Sequence, residues 1–210
     1  MTLAALKAEL KARLLSVESW SIENGPARSD FDLNPGAERE ERTLRAAAVL
    51  IPLIANEDGA MVLMTRRADT LASHTGQIAF PGGRLDPGET AVEAALREAW
   101  EEVALDPDAV EVLGLGDAYE TGTGFLVTPV IGWLSRAPET TPSPDEVAEV
   151  FEVPWDFLID GANHRRDYYD PETGPRRWYW AVPFGERYIW GVTAGIVRAL
   201  RMRLYGEEAA

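Results

Sequence analysis

Three glutamates lie close together in a segment with the pattern of a helix. Glu98, Glu101 and Glu102 fall within residues 90–105, a stretch that contains neither proline nor glycine. On a helix that turns about 100° per residue, the three side chains share one arc about 100° wide. Like charges three or four residues apart destabilise a helix by about 0.2–0.5 kcal/mol per pair. A divalent cation would relieve that repulsion, and carboxylate oxygens are preferred ligands of Mg²⁺ and Mn²⁺, so the pattern predicts a metal site.

The alternative interpretation is a solvated acidic face, which is the usual role of a run of charges. The residues around the glutamates count against it. Gly82-Gly83 and the turn Asp86-Pro87-Gly88 come directly before the segment. Thr90 is a suitable N-cap, and Glu93 three residues later completes a capping box. The helical wheel also gives an apolar stripe that should face the core, formed by Val92, Leu96, Ala99 and Val103.

The spacing resembles the Nudix box, the motif Gly-x5-Glu-x7-Arg-Glu-aliphatic-x-Glu-Glu-x-Gly-aliphatic of a family of pyrophosphohydrolases. One position departs from the motif, since Ala104 stands where the box has the glycine that normally ends the helix. The resemblance implies an α/β fold, a Nudix-type α/β/α sandwich with a mixed β-sheet. The matching residues are Gly83, Glu89, Arg97, Glu98, Ala99, Glu101, Glu102, Val103 and Leu105.

The resemblance also implies metal ligands. Glu98, Glu101 and Glu102 are the candidate side-chain ligands of Mg²⁺ or Mn²⁺. A backbone carbonyl at Gly83 or its neighbour is a further candidate, as in other family members. Glu89 is expected to stabilise the junction between loop and helix.

One carboxylate must accept a proton from the attacking water. Glu98 is the candidate inside the box. Glu146 is a candidate outside it, because some family members take the base from that region, and its alternative is a surface charge at a strand end. Arg97 is expected to orient a glutamate, the alternative being a surface pair with Glu101. The catalytic candidates are therefore Glu98, Arg97, Glu101 and Glu146.

Residues 63–83 resemble the signature of the coenzyme A pyrophosphatase branch of this family. Ala72 departs from it, standing where the branch often has arginine. Arginine forks bind phosphate well, and glycines let a backbone approach a ligand. Arg66 and Arg67 have an alternative role as a surface pair at a strand end. His74 has the alternative role of a structural or exposed loop residue. The candidate substrate-binding residues are Arg66, Arg67, His74, Gly76, Phe80 and Gly82.

The function implied is metal-dependent hydrolysis of the diphosphate linkage of coenzyme A or an acyl-CoA. The products would be 3′,5′-ADP and 4′-phosphopantetheine or its acylated form. One alternative is a Nudix hydrolase that acts on ADP-ribose, a dinucleotide or an oxidised nucleotide. Another, from a different class, is a non-catalytic module that binds a nucleotide.

The amino-acid composition limits the classes of partner that the protein is expected to bind. The 210 residues carry a formal net charge of −15, which repels nucleic acid and anionic lipid, so neither is expected as a partner. A phosphate-bearing substrate would need a local basic lining. The chain has no cysteine and no apolar run long enough to span a bilayer. We expect a cytoplasmic enzyme with a small-molecule substrate, and the pattern does not choose between a monomer and a homodimer.

The predicted organisation is an N-terminal helix and arm over residues 1–41 and a Nudix domain over 42–205. Hydrophobic periodicity places the secondary structure around the box. Helices are predicted at 3–14, 90–105, 155–159 and 190–204; strands at 46–54, 61–65, 78–80, 110–115, 125–133, 146–153 and 177–182; and polar loops at 135–145 and 161–175.

Overall fold

The computed structural model describes residues 1–37, 42–68 and 76–206. Over these ranges the chain forms helices and strands that are numbered here in chain order. The helices are α1 (Leu3–Arg13), α2 (Ala91–Val103), α3 (Trp155–Ile159) and α4 (Val192–Tyr205). The strands are β1 (Arg28–Ser29), β2 (Arg45–Asn56), β3 (Gly59–Arg67), β4 (Ile78–Ala79), β5 (Gly82–Arg84), β6 (Glu111–Leu115), β7 (Tyr119–Glu120), β8 (Phe125–Leu134), β9 (Val147–Pro154), β10 (Arg165–Tyr169), β11 (Arg177–Phe184) and β12 (Arg187–Trp190).

Nine of the described strands form one mixed sheet with β2 near its centre. β2 runs parallel to β8, from Arg45 opposite Phe125 to Ile54 opposite Leu134. β2 and β3 form the predicted antiparallel hairpin, and β9 pairs with β3. The short strand β5, which the sequence analysis did not predict, pairs antiparallel with the start of β2. This pairing holds the glycine loop against the sheet.

Helices cover both faces of this sheet. Side chains along β2 alternate between two cores, one on each face. Ala48, Leu50 and Ile54 belong to a core with α2. Ile51 and Leu53 belong to a second core that includes residues of α1, α3 and α4. The predicted α/β/α sandwich with a mixed sheet is confirmed. None of the helices in the described ranges is long and apolar enough to cross a bilayer.

The N-terminal segment packs on the sheet domain. Leu6 and Leu10 of α1 are buried in the core that contains α4. Farther along, β1 pairs in parallel with β7. The carboxylate of Asp30 accepts hydrogen bonds from the hydroxyl of Tyr119 at 2.9 Å and from the backbone N–H of Gly122 at 2.7 Å. The proposed division at residue 41 stays a prediction.

The C-terminal part holds a second, three-stranded antiparallel sheet of β10, β11 and β12. The expected loop at 161–175 is wrong in part, because Arg165–Tyr169 forms β10. The predicted final helix also began too early. Arg187–Trp190 forms β12, and α4 begins only after Gly191, which has a φ of 63°. Gly185-Glu186 separates two aromatic-rich runs and is the turn signal that the sequence analysis missed.

Helix α2 begins as the sequence predicts. The hydroxyl of Thr90 accepts the N–H of Glu93, and the carboxylate of Glu93 accepts the N–H of Thr90, which completes the capping box. Its buried face differs from the predicted stripe, because Val92 and Leu96 are only partly buried. The buried residues are Ala91, Ala94, Ala95, Ala99, Glu102 and Val103. Small alanines let the helix lie close to β2, and Glu102 shares the buried face.

The end of α2 is strained. Ala104 is the helix C-cap and has a φ of 55°, the only positive φ of a non-glycine residue in the described part of the chain. The left-handed conformation costs roughly 1–2 kcal/mol for a residue with a Cβ. The chain thus keeps the backbone geometry of the box after losing its glycine.

We predict that Ala104→Gly raises the free energy of unfolding by about 0.5–1 kcal/mol. Relief of the strain exceeds the roughly 0.4–1 kcal/mol that glycine loses through greater freedom in the unfolded chain. Chemical denaturation measures the change. Ala94→Gly, inside the same helix, is the matched control and should lower stability by about 1 kcal/mol or more. Equal losses in both variants would contradict the prediction.

Candidate active site

The glycine loop and α2 approach each other most closely at Gly83 and Glu98. Gly83 lies in β5 opposite Ala48 of β2. A Cβ built on Gly83 would lie 2.4 Å from both Cδ and Oε1 of Glu98, far inside contact distance. Only glycine therefore lets the Glu98 carboxylate sit directly against the strand. The same backbone surface is what a ligand held by Glu98 would meet.

Gly82 contacts both Glu102 and strand β2. Its backbone N–H lies 3.3 Å from Oε2 of Glu102. A Cβ on Gly82 would lie 2.4 Å from the carbonyl oxygen of Ala48. Glu102 is only 4% exposed, and this burial raises its pKa to about 8, with the neighbouring charge of Glu98 acting in the same direction. Negative charge is thus disfavoured at Glu102 in the absence of a nearby cation.

Arg97 joins the loop to the helix. Its Nε donates to Oε1 of Glu89 at 2.8 Å, and its Nη2 donates to Oε2 of the same carboxylate at 3.0 Å. Nη2 also donates to the backbone carbonyl of Arg84 at 3.0 Å. The hydrogen bonds from Arg97 lower the pKa of Glu89. Glu89 in turn accepts the N–H of Asp86 at 2.8 Å, so the turn, the strand and the helix share one network.

The same arginine contacts the other carboxylates of the box unequally. Nη1 of Arg97 lies 2.9 Å from Oε1 of Glu98 and 3.1 Å from Oε2 of Glu101. Burial raises the pKa of Glu98, and the hydrogen bond from Arg97 opposes that rise. The side chain of Glu101 is 53% exposed, against 18% for Glu98. Glu98 and Glu102 are therefore brought to the glycine loop, whereas Glu101 extends toward solvent beside Arg97.

A metal site is not fully assembled from side chains. Over residues 1–37, 42–68 and 76–206, no three histidine, cysteine, aspartate or glutamate side chains converge on one point. The donors nonetheless suit a hard cation, since Glu98 and Glu102 offer oxygens in a place where burial disfavours uncompensated negative charge. The ligand set Glu98, Glu101, Glu102 and Gly83 stays a prediction.

Glu146 is held near these carboxylates by the loop before β9. The N–H of Ser143 donates to the carbonyl of Glu102 at 2.8 Å, which fixes the loop to the end of α2. The N–H of Ala68 donates to the carbonyl of Glu146 at 2.9 Å. The charge of Glu146 contributes to raising the pKa of both Glu98 and Glu102. Its side chain is exposed, so it stands at the open side of the site.

Arg66 and Arg67 point to opposite faces of the sheet because they are neighbours on a strand. Arg67 pairs with Val147 and lies on the α2 face, where its charge lowers the pKa of Glu102. Arg66 pairs with Glu149 on the other face, with 3.6 Å between its Nε and Oε2 of Glu149. Both arginines were predicted from the sequence to bind the substrate. The structure assigns only Arg67 to the surroundings of the glutamates.

Arg66 instead lines a cavity of about 540 Å³ on the α4 face of the sheet. Arg187, at the start of β12, ion-pairs with Glu149 at the same place. The sequence analysis missed this arginine because it did not predict the β11–β12 hairpin. The cavity is lined by Arg66, Gly76, Ile78, Glu149, Glu186, Arg187, Tyr188 and Trp190.

The remaining predicted substrate residues differ in position. Gly76 has a φ of 68° and lines the cavity beside Arg66. Phe80 is 3% exposed and packs in the core that contains α4. Its side chain therefore anchors the start of the glycine loop to that core. His74 lies outside the described residues.

Burial of Glu102 should make stability depend on pH when divalent ions are chelated. Its folded pKa of about 8 lies above the unfolded value of about 4.3, so its contribution is complete below pH 4.3 and is lost as pH rises through 8. We predict that the unfolding free energy of the wild type falls between pH 5 and 8. Glu102→Gln should make that fall shallower, as measured by denaturation in EDTA. An unchanged slope would contradict the assignment, and Glu101→Gln is the matched control.

Comparison with known proteins identifies the family of this chain. The model of the NUDIX domain family matches residues 44–171, more than half of the chain. An uncharacterized Nudix hydrolase, NudL, from Cronobacter sakazakii is 40% identical over 195 residues, covering 89% of this chain and 100% of that protein. NudL of Escherichia coli K12 is 40% identical over 174 residues, covering 82% and 89%. An Ap4A hydrolase structure from C. elegans aligns with a TM-score of 0.46 and 19% identity, over 51% of this chain and 79% of that chain. With its box glutamates placed against the glycine loop, this protein belongs to the Nudix hydrolase family.

Proposed function

We propose that the protein hydrolyses the diphosphate linkage of coenzyme A or an acyl-CoA, giving 3′,5′-ADP and 4′-phosphopantetheine or its acylated form. The observation that carries the hydrolytic part is the placement of Glu98 and Glu102 against the backbone of Gly82 and Gly83. Support for coenzyme A comes from residues 63–83, which resemble the signature of the coenzyme A pyrophosphatase branch.

The proposed cofactor is Mg²⁺ or Mn²⁺, held by Glu98 and Glu102 with help from Glu101 and the backbone at Gly83. When bound, the ion supplies positive charge to the diphosphate oxygens and lowers the pKa of water. Arg97 keeps Glu98 in place through the hydrogen bond at 2.9 Å. Positioning of this kind matters because misplacement of a reacting group by about 1 Å reduces rates about 100-fold.

In the reaction, a water oxygen forms a bond to one phosphorus and the bridging P–O bond breaks. The displaced phosphate group leaves with the bridging oxygen, and a carboxylate accepts the proton of the water. Glu98 and Glu146 are the two candidates for that carboxylate. Glu98 is already hydrogen-bonded to Arg97, whereas Glu146 is exposed at the open side of the site. Arg67, on the same face, adds positive charge near the reacting phosphates.

The cavity on the α4 face supports a substrate longer than a simple nucleotide. Tyr188 and Trp190 line it, and Arg66 and Arg187 share the carboxylate of Glu149 at its wall. A volume of about 540 Å³ is in the range of small-molecule sites.

Mass spectrometry of products tests the substrate. Coenzyme A, an acyl-CoA, ADP-ribose and NADH are incubated with the protein and Mg²⁺ or Mn²⁺. We expect 3′,5′-ADP and 4′-phosphopantetheine as the main products, and loss of turnover after chelation because the carboxylates alone leave the diphosphate charge uncompensated. Preferred turnover of ADP-ribose or NADH would favour the alternative of another nucleoside diphosphate derivative. Full activity in EDTA would contradict the proposed cofactor.

The contact of Gly83 with Glu98 gives a second test. A methyl group at residue 83 would displace the carboxylate that lies 2.4 Å from the built Cβ. We predict that Gly83→Ala lowers kcat about 100-fold or more. Glu98→Gln, which keeps the shape but removes the charge, should also lower kcat strongly.

The matched control is Gly36→Ala, because no atom of the described residues lies within 4 Å of a Cβ built on Gly36. Thermal unfolding of each variant shows whether the fold is kept. Near-normal kcat in a folded Gly83→Ala variant would show that the Glu98 carboxylate does not depend on this contact.

A further inference from the structure

Two arginines share one phenyl ring on the α4 face of the sheet. The guanidinium carbon of Arg45 lies 4.0 Å from the ring centroid of Phe125, and that of Arg84 lies 5.4 Å from the same centroid. Arg45 also donates from Nη2 to the carbonyl of Thr123 at 3.1 Å. Among the residues that the structure describes, neither guanidinium has a carboxylate partner. Two exposed cations thus contact one phenyl ring in a chain whose net charge is −15.

Other described arginines also contact rings, such as Arg176 over Tyr168, but only Phe125 carries two among the described residues. The guanidinium of Arg97 is used up by carboxylates and a backbone carbonyl, and Arg176 forms an ion pair with Asp170. Contact with the face of a phenyl ring holds a guanidinium but leaves its N–H edge open. The N–H groups that stay open on two guanidiniums sharing one ring suit an anion with several oxygens, such as phosphate.

The strand register places this pair beside the carboxylates. Arg84 pairs with Ala47, and Phe125 pairs with Arg45, so all four side chains lie on the α4 face. Gly83, the next residue, faces α2 and contacts Glu98. Adjacent Cα atoms are about 3.8 Å apart, so Gly83 and Arg84 are close together although they lie on opposite faces of the sheet. The backbone of Arg84 is fixed by its hydrogen bond from Arg97.

The edge of β5 that faces away from β2 is bordered by the side chains of Glu102 and Arg97 from α2. Within the described part of the chain, β5 pairs only with β2, so its other edge is uncovered by strands. A nucleotide lying across that edge can place its diphosphate at Glu98 and a further phosphate near Arg84. In coenzyme A that further phosphate is the 3′-phosphate, which one ribose ring separates from the diphosphate.

We propose that Arg45 and Arg84, held against Phe125, bind the 3′-phosphate of the substrate and so select coenzyme A over nucleotides that lack this group. The inference rests on the proposed function for its choice of substrate. It adds two specificity-determining residues that lie outside the Nudix box ligands. A phosphate monoester is a suitable partner because it offers three unshared oxygens to two guanidinium forks.

Equilibrium binding of two nucleotides in EDTA tests this without catalysis. Adenosine 3′,5′-bisphosphate and adenosine 5′-monophosphate are titrated by calorimetry into wild type, Arg45→Gln, Arg84→Gln and the control Arg136→Gln. Arg136 is exposed and follows the far end of β8, whereas Phe125 begins that strand. We expect wild type and control to bind the bisphosphate about 10-fold to 100-fold more tightly than the monophosphate. The Arg45 and Arg84 variants should lose that preference and keep their affinity for the monophosphate.

Equal binding of the two nucleotides by wild type would overturn the proposal, and so would an equal loss for both in the variants. Kinetics separates this outcome from failure of the proposed function. If the protein hydrolyses coenzyme A, kcat/KM for coenzyme A should fall in Arg84→Gln while kcat/KM for 3′-dephospho-coenzyme A stays within about 2-fold, the difference appearing mainly in KM. If coenzyme A is not hydrolysed but the bisphosphate preference disappears in the variants, the phosphate site stands and the assigned reaction fails.

Discussion

The approach of two carboxylates to a bare backbone is the constraint on which the rest of this structure depends. Glu98 and Glu102 lie against Gly82 and Gly83, where burial disfavours their charged forms. Carboxylates in such a position destabilise the fold unless positive charge or backbone N–H groups compensate them. Arg97 and the N–H of Gly82 supply part of that compensation. The charge that stays uncompensated is the basis for the proposed binding of a cation, so the proposed chemistry and the local instability have one cause.

Several features of the chain bring this contact about. The alanine-rich face of α2 lets the helix lie close to β2, so that Glu102 on the same face reaches the loop. β5 has almost no side chain to separate loop from helix, since two of its three residues are glycine. The Arg97–Glu89 pair then fixes the turn before the helix. Ala104, in the left-handed conformation, ends the helix and lets the chain turn into the following loop.

The sequence predicts the local parts of this arrangement well. The capping box of α2, the β2–β3 hairpin and the grouping of Glu98 with Glu102 all follow from residues close in the chain. The parts it does not predict arise from contacts between distant segments. β5 exists through its pairing with β2, and the Arg45–Phe125–Arg84 cluster joins three strands. Arg66 and Arg67 were separable by strand alternation alone, once the strand was known to include both.

The bulge where β9 meets the end of β3 has a consequence for how such a chain can change in length. Register shifts between Arg66 and Arg67, since Arg66 faces Glu149 and Arg67 faces Val147, with Ala148 as the extra residue. A deletion of Ala148 or a single insertion within β3 would exchange the faces of the residues beyond it. The length of the chain at this end of β3 is therefore fixed by the alternation of side chains along the paired strands.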